Sequence, residues 1–387
     1  MLARAGRSKK IFSLIILLLS ISAISVFCQS DQSGWKGKIK EKDGVVIVKN
    51  SAYPLYKTEI LEIEEELSLG GANKGKEYTF ERLSDLAIDD EENIYALDNK
   101  VAQIQVFDKN GKYWRSISSF GQGPGELQSP DFIQIMNDKE LWVWDLHTNR
   151  FVIFSLAGEY LREIPATHLI YPLEPIGWDS RGNLMAYLVP PPPVSGLQLV
   201  RLSNNLKTIM TIYIVAKDDS YLKKKIRLLE PEPCCAVSRD DLVIWGEAKK
   251  YELQILNPEG KLIKKIVRSC KPVRVSDQDK KELEERHNQS RMGRAGYKPV
   301  FPKYFPYFRD ISVDEQGRIF VFTFEQEKEK PGFYYIDIYD PEGRYIGHIL
   351  SNITASDLVW KNNKLYTIER DQEGFYVIKR YGLRWNY

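Results

Sequence analysis

Residues 93–97 read Asn-Ile-Tyr-Ala-Leu, a turn residue followed by a short apolar run, and this arrangement returns five more times along the chain. Both faces of each copy are apolar, which is typical of a strand that packs on both sides. The six copies are NIYAL (93–97), ELWVW (140–144), NLMAY (183–187), DLVIW (241–245), RIFVF (318–322) and KLYTI (364–368).

Short turns rich in Asp, Asn and Gly separate each copy from a strand before it and from further strands after it. The first two units keep one register, since positions 94 and 141, 107 and 154, and 111 and 158 are all 47 apart. A four-stranded unit of about 40–50 residues is the size of a propeller blade. The sequence therefore predicts an all-β fold, a six-bladed β-propeller.

The last unit is one strand short, because the chain ends soon after the strand at 376–379. Residues 60–69 form a spare strand before the first unit, and we expect them to complete the last blade and close the ring. A weaker hairpin at 35–48 precedes that strand. We expect a signal peptide at 1–28, an extension at 29–59 and the propeller at 60–387.

The N-terminal segment has the layout of a secretory signal, with a basic start, an apolar run at 11–27 and polar chain from Gln29. It predicts an exported protein, in the periplasm or the cell envelope or secreted. Cys28 is a candidate lipidation site, although Phe27 stands where bacterial lipoproteins usually have a small residue. Ordinary cleavage and an uncleaved anchor stay open, and we expect membrane contact only through such an anchor or a lipid on Cys28.

Composition excludes several function classes. The chain has 55 Lys and Arg against 53 Asp and Glu, so it offers no strong field for a nucleic acid, and we expect no nucleic-acid partner. The four histidines are scattered, which predicts neither a metal site nor a cofactor. Besides Cys28, the cysteines are Cys234, Cys235 and Cys270, too few for a disulfide framework, and their redox state stays open. We expect a monomer.

Residues 120–127 read Phe-Gly-Gln-Gly-Pro-Gly-Glu-Leu, and residues 142–145 and 149–151 read Trp-Val-Trp-Asp and Asn-Arg-Phe. These phrases resemble NHL-repeat propellers, in particular a group of bacterial exported 6-bladed β-propellers of unassigned function. The resemblance spans about residues 60–385 as architecture, but its sharp motifs lie only in the first two blades. It implies the fold, with the Gly-rich phrase joining one blade to the next, and it implies no activity.

Long loops fall on one face of the predicted propeller, where binding residues usually lie. One such loop holds four candidate ligand-binding residues: Asp145, His147, Asn149 and Arg150. Asp85, Asp310 and Asp357 occupy equivalent positions at the start of first strands, with Asp131 one residue out of step. Such acids either bind Ca²⁺ at the channel mouth or, the plainer interpretation, form hydrogen bonds at strand ends.

The largest departure from the repeat is an insertion at about 273–307, between the fourth and fifth blades. A capping box at 276–279 predicts a helix, and an aromatic, proline-rich stretch follows. We expect the insertion to cap the central pocket and to bring five side chains to an anionic, sugar-like or peptide ligand. They are Arg291, Arg294, Tyr297, Lys298 and Tyr304. The alternative is that the aromatic residues pack on the propeller and the cations are solvated.

These observations favour a noncatalytic binding module for a protein, peptide or glycan. The alternative is a propeller enzyme, such as a lyase, lactonase or glycan hydrolase, with a cluster of ionisable groups at the channel. A purely structural role is a third possibility. The sequence identifies no catalytic residue.

Overall fold

Four-stranded antiparallel sheets repeat six times around a central axis in the computed structural model. The structure describes residues 34–71, 75–169, 172–188, 197–215, 223–327, 329–353 and 358–387. Cys28 and the rest of the predicted signal peptide, the proline run at 190–193 and Asp357 lie outside the described residues. The predicted all-β six-bladed propeller is confirmed.

The blades follow one another along the chain, and each is described from its inner to its outer strand. Blade 1 has β4 (Leu83–Ile88), β5 (Ile94–Asp98), β6 (Gln103–Phe107) and β7 (Tyr113–Ile117). Blade 2 has β8 (Pro130–Met136), β9 (Glu140–Asp145), β10 (Arg150–Ser155) and β11 (Tyr160–Pro165). Blade 3 has β12 (Leu173–Trp178), β13 (Leu184–Leu188), β14 (Gln198–Leu202) and β15 (Thr208–Ile214). Blade 4 has β17 (Pro233–Val237), β18 (Val243–Glu247), β19 (Glu252–Leu256) and β20 (Leu262–Arg268). Blade 5 has β22 (Phe308–Val313), β23 (Ile319–Gln326), β24 (Tyr334–Tyr339) and β25 (Tyr345–Ser351). Blade 6 has β26 (Leu358–Lys361), β27 (Lys364–Arg370), β28 (Tyr376–Trp385) and, at its outer edge, β3 (Leu61–Gly70).

The second strand of each blade is apolar on both faces because it feeds two different cores. In β9, Leu141 and Val143 pack in the cluster shared with blade 1, whereas Trp142 and Trp144 pack in the cluster shared with blade 3. Side chains alternate across a strand, so neighbouring residues point to opposite faces of the blade. Six such hydrophobic clusters among the described residues match the six interfaces between blades.

The ring closes through strands from the two ends of the described chain. β3 pairs antiparallel with β28, in a register that runs from Val377 opposite Gly70 to Trp385 opposite Leu61. The pairing covers two strand edges that would otherwise expose unpaired backbone groups. The predicted closure by residues 60–69 is therefore confirmed.

The N-terminal extension runs over the outer edges of blades 4 and 5 before it reaches blade 6. The hairpin of β1 (Lys38–Lys42) and β2 (Val45–Asn50) adds to blade 4, where β2 lies parallel to β20. The backbone N–H groups of Leu55 and Tyr56 then donate to the carbonyls of Tyr345 and Ile346 at 2.9 and 3.0 Å. The first described residues thus link blades 4, 5 and 6.

The turn between the third and fourth strands of a blade repeats one local design. A polar side chain at its first position accepts a hydrogen bond from the fifth N–H, as Asp108 does from Lys112 at 2.9 Å. The fourth residue is usually a glycine with positive φ, such as Gly158 at 94°. That glycine abuts the outer strand of the preceding blade, since a Cβ on Gly158 would lie 2.9 Å from Cγ1 of Ile117.

A cation from the preceding blade also donates to the carbonyl of the second residue in this turn. The same contact recurs at four of the six interfaces, which makes it a second repeated link between blades. The pairs are Arg115 with Leu156, Arg201 with Pro258, Lys264 with Pro341 and Arg380 with Lys109.

The predicted helical and aromatic insertion is present between blades 4 and 5. It contains α1 (Asp277–Gln289), α2 (Arg291–Arg294) and β21 (Lys298–Val300), and β21 pairs in parallel with β16 (Lys225–Arg227) before blade 4. A single 3₁₀ turn, Lys76–Tyr78, leads into blade 1. Across the described residues, no helix has the length and apolar character needed to cross a membrane.

We predict that Gly158→Ala lowers the free energy of unfolding more than Gly374→Ala does, when both are measured by urea denaturation. Both glycines have a positive φ, 94° and 88°, which costs an alanine about 1–2 kcal/mol. Only Gly158 abuts a neighbouring blade, because nothing lies within 4 Å of a Cβ built on Gly374. Equal losses in the two variants would contradict the role given to the turn in blade packing.

Candidate functional site

The inner strands of all six blades line a central channel with a volume of about 1050 Å³. All inner strands run in the same direction, so their first residues lie at one end of the channel. The connections between blades, including the insertion, lie at that end, and the tight turns between the first and second strands of the blades lie at the other end. Five acidic residues from five blades line the channel near the strand starts, and we call them the channel mouth: Asp85, Asp131, Glu174, Glu232 and Asp310.

β-Bulges in the inner strands adjust which side chains reach the mouth. The pairing of β4 with β5 skips Ser84, that of β8 with β9 skips Asp131, and that of β22 with β23 skips Arg309. A bulge inserts one unpaired residue and re-aims the side chains around it. In blade 2 the unpaired residue is the acid itself, Asp131. In blades 1 and 5 the unpaired residue comes directly before the acid, which is why Asp131 is one residue out of step in the sequence.

Two of the acids are tied into the backbone. Asp85 accepts hydrogen bonds from the N–H of Leu86 at 2.8 Å and of Ile133, in the next blade, at 2.9 Å. Asp310 accepts one from the N–H of Ile311 at 2.8 Å. The strand-end hydrogen bonding expected for these equivalent positions is therefore present, and Asp85 links blades 1 and 2 with it.

Glu174 and Glu232 have a different electrostatic environment. Partial burial, and then the charge of Asp131, raise the pKa of Glu174 above its usual range. Burial, and then the charge of Glu174, raise the pKa of Glu232. Both side chains are still reached by solvent, and a neighbouring acid contributes to the shift in each of them.

One arginine adjoins these acids. The Arg309 guanidinium lies over the Tyr334 ring at 4.4 Å, and burial lowers its pKa from the ordinary value. Among the described residues near the strand starts, the channel wall thus combines Arg309 with five acidic groups, so acids outnumber cations there.

Two cysteines also line the channel, in the inner strand of blade 4. Cys234 and Cys235 are buried and free, and burial raises the pKa of both thiols well above the ordinary value. Cys270 is free as well, and burial raises its pKa to about 11. Thiols with such pKa values are poor nucleophiles near neutral pH, so Cys234 and Cys235 act as wall residues, and Cys270 lies outside the described channel wall.

Three of the four loop residues predicted as ligand contacts have partners within the fold. Asp145 is fully buried and accepts hydrogen bonds from the N–H groups of Gln128 and Ser129, both at 2.9 Å. Asn149 donates to the carbonyl of Ala166 at 3.0 Å, and Arg150 pairs with Glu163 at 2.5 Å.

The contacts of Asp145 hold the connection between blades 1 and 2, and Asp98 does the same for Glu81 and Arg82 just before blade 1. His147 is exposed in the loop, and the described channel wall contains none of these four predicted residues.

The predicted insertion residues lie away from the channel. None of Arg291, Arg294, Tyr297, Lys298 and Tyr304 belongs to the described channel wall. The insertion packs on blades 4 and 5 instead, through the N–H of Tyr307 on the carbonyl of Ala248 at 2.9 Å and the Phe305 ring stacked on Phe324 at 5.0 Å. Arg291, Arg294, Lys298 and Tyr304 are exposed there, so a role for them in binding stays a prediction about a separate surface.

Glu174 and Glu232 are the site residues that sequence reasoning missed. Each immediately precedes a proline at the start of an inner strand, Pro175 and Pro233. Alignment on the second-strand repeats would have found them at the place of Asp131, since each of the three acids lies ten residues before the leucine of its repeat, Leu141, Leu184 or Leu242. Among the described residues, no three His, Cys, Asp or Glu side chains come close enough to hold a metal ion.

The family DUF5128, described as a 6-bladed beta-propeller, matches residues 73–177. No curated protein matches the sequence. Among solved structures, a protein from Bacteroides fragilis assigned as exported has 11% identity and a TM-score of 0.53, over 88% of this chain and 100% of its own. A member of the duf4221 family from Bacteroides vulgatus has 9% identity and a TM-score of 0.55, over 84% of this chain and 99% of its own. At such identities the likeness shows the propeller fold alone.

We predict that Glu174→Gln raises the melting temperature at pH 7 and that this gain disappears as the pH falls below 4.5, the ordinary value for a glutamate. The folded state raises this pKa, so it holds the proton more tightly than the unfolded chain does. Stability from the protonated form is therefore lost as the pH rises through the folded pKa, and glutamine avoids that loss.

Glu140→Gln is the matched control of opposite sign, because the hydrogen bonds from Arg162 and Trp142 lower the pKa of Glu140. This variant is expected to melt below wild type at pH 7. Thermal denaturation of both variants from pH 4 to pH 8 measures both effects. A Glu174→Gln protein that melts below wild type at pH 7 would contradict the unfavourable environment of the ionised Glu174.

We also predict that Asp145→Asn lowers the free energy of unfolding by about 1–3 kcal/mol. An asparagine has one acceptor oxygen where the carboxylate satisfies two buried N–H groups. His147→Ala, two residues away and exposed, should leave stability unchanged in the same denaturation experiment. An Asp145→Asn protein as stable as wild type would contradict this structural role of Asp145.

Proposed function

We propose that this chain is an exported binding module whose channel mouth holds a cationic group of a peptide or of an amino sugar. The observation that carries the proposal is a channel of about 1050 Å³ in which acids from five blades meet near one end. That volume is at the upper end of what small-ligand sites reach, about 1,000 Å³. Export is supported by the signal-like layout of residues 1–28.

Electrostatics supports a cation over a neutral ligand. Burial, and then the charge of a neighbouring acid, raises the pKa of Glu174 and of Glu232, so an ammonium or guanidinium group placed between them would offset an existing cost. Backbone hydrogen bonds hold Asp85 and Asp310 at the mouth, so these two carboxylates need little ordering when a ligand arrives.

A second candidate function is acid–base catalysis on a glycan. One observation favours it, namely two neighbouring glutamates with raised pKa in a channel wall. A protonated glutamate beside an ionised one is the pair that glycoside hydrolysis uses. In that case Glu174 and Glu232 would be the catalytic residues.

The test is titration of the full chain with a fluorescent hexalysine peptide and, separately, with a chitosan oligosaccharide. We expect binding to weaken with salt, and we expect Glu174→Gln/Glu232→Gln to lose about tenfold or more in affinity. Glu140→Gln/Glu163→Gln removes the same charge from the outside of blade 2 and should bind as wild type does.

Equal affinity in the two double variants would contradict the proposal. Mass spectrometry of the oligosaccharide after incubation separates the two candidate functions. An unchanged ligand supports a binding module, whereas shorter products that vanish in Glu174→Gln/Glu232→Gln support catalysis.

A further inference from the structure

The insertion is joined to a distant part of the chain by a very short sheet that stands outside the blades. β16 and β21 pair in parallel over three residue pairs, and no other described strand extends this sheet. The N–H of Lys298 donates to the carbonyl of Lys224 at 2.9 Å, and that of Leu228 to the carbonyl of Val300 at 3.0 Å. So small a parallel sheet has little stability of its own.

Its register brings like charges together. Lys225 is the direct cross-strand partner of Lys298, and both are exposed. Like charges opposite each other destabilise a sheet. Two more exposed cations, Arg291 and Arg294, belong to the short helix just before β21. We call Lys225, Lys298, Arg291 and Arg294 the basic platform.

Nearby acids do not neutralise the platform. The sequence of α1 contains five acidic residues, yet none of them, nor any other described carboxylate, forms an ion pair with a platform residue. Asp277 instead pairs with Lys280 at 2.7 Å, and Glu282 accepts a hydrogen bond from Gln278 at 2.7 Å. The platform cations are therefore not neutralised by ion pairs with the described acids of α1.

Hydrogen bonds hold the backbone of the insertion next to the platform. Buried His287 in α1 forms a hydrogen bond with the carbonyl of Tyr297 at 2.8 Å, next to Lys298. A capping box at Ser276 and Asp279 starts α1, and the N–H of Val275 donates to the carbonyl of Lys303 at 3.1 Å. These contacts hold the backbone beside Lys298 and the ends of the insertion in place, which lowers the entropy cost of binding at Lys298.

Exposed apolar groups follow the cations along the chain. Val300 ends β21 with 39% of its surface exposed, and the Tyr304 ring is 40% exposed with the Lys303 ammonium 5.2 Å from its centre. A sugar ring has an apolar C–H face that packs on an aromatic ring, and a carboxylate or sulfate on that sugar would pair with lysine or arginine.

We propose that the basic platform binds an acidic polysaccharide. Its anionic groups would lie between Lys225 and Lys298 and reach Arg291 or Arg294, and a sugar ring would pack on Tyr304. This site lies outside the described channel wall, so it is independent of the function proposed for the channel mouth.

The test uses the full chain and three probes of matched length: polygalacturonate, neutral dextran and polyglutamate. We expect polygalacturonate to bind at least tenfold more tightly than the other two, with an affinity that falls as salt rises. Lys225→Gln/Lys298→Gln should lose at least tenfold, and Tyr304→Ala should lose severalfold.

The matched control is Lys38→Gln/Lys40→Gln, which removes two exposed lysines from β1 and should keep wild-type affinity. Without ligand, Lys225→Gln/Lys298→Gln should melt at or above the wild-type temperature, because a repulsion is removed, so its lost binding is not a folding defect. The proposal fails if polyglutamate binds as well as polygalacturonate, if the two double variants bind equally, or if the platform variant melts below wild type.

Discussion

Packing between blades is the constraint on which the rest of this structure depends. A blade has neighbours on both sides, so its second strand must be apolar on both faces, and residues such as Trp142 and Val143 serve opposite interfaces. No interface is dispensable in a closed ring. The strand Leu61–Gly70 is therefore needed to close the ring, because it covers the outer edge of blade 6 and contributes Leu69 to the core shared with blade 1.

This constraint also decides where chemistry can occur. Both faces of every blade are used for packing, so functional side chains are left to the channel wall and to the loops. Bulges in the inner strands then alter the wall without disturbing the cores, as Asp131 and Arg309 show at equivalent places in blades 2 and 5. A single bulge position carries an acid in one blade and a cation in another while the blade around it is unchanged.

The fold could be predicted because its signals are local and repeat. Each blade gives an apolar segment and an Asp, Asn or Gly turn within a short window, and counting those units also predicts the closing strand. Only some of the acids at the channel mouth could be predicted from the sequence. Asp85 and Asp310 stand out because their blades keep the repeat, whereas Glu174 and Glu232 precede strands in which the repeat has blurred.

The pairing of Lys225 with Lys298 was beyond sequence reasoning for a different reason. Two three-residue strands far apart in the chain have no periodicity to reveal that they meet. Asp145 shows the converse problem, because a polar residue in a loop looks like a ligand contact until its two backbone donors are seen.

Net charge conceals how this molecule distributes its ionisable groups. The sequence balances 55 basic against 53 acidic residues, yet acids meet at the channel mouth while cations gather on the insertion. Ionic strength alone cannot tell two such sites apart, because salt screens both. Acidity can, because the raised pKa values of Glu174 and Glu232 let these two glutamates take up protons at a higher pH than ordinary glutamates do. A fall in pH should therefore weaken a cationic ligand in the channel through these two glutamates.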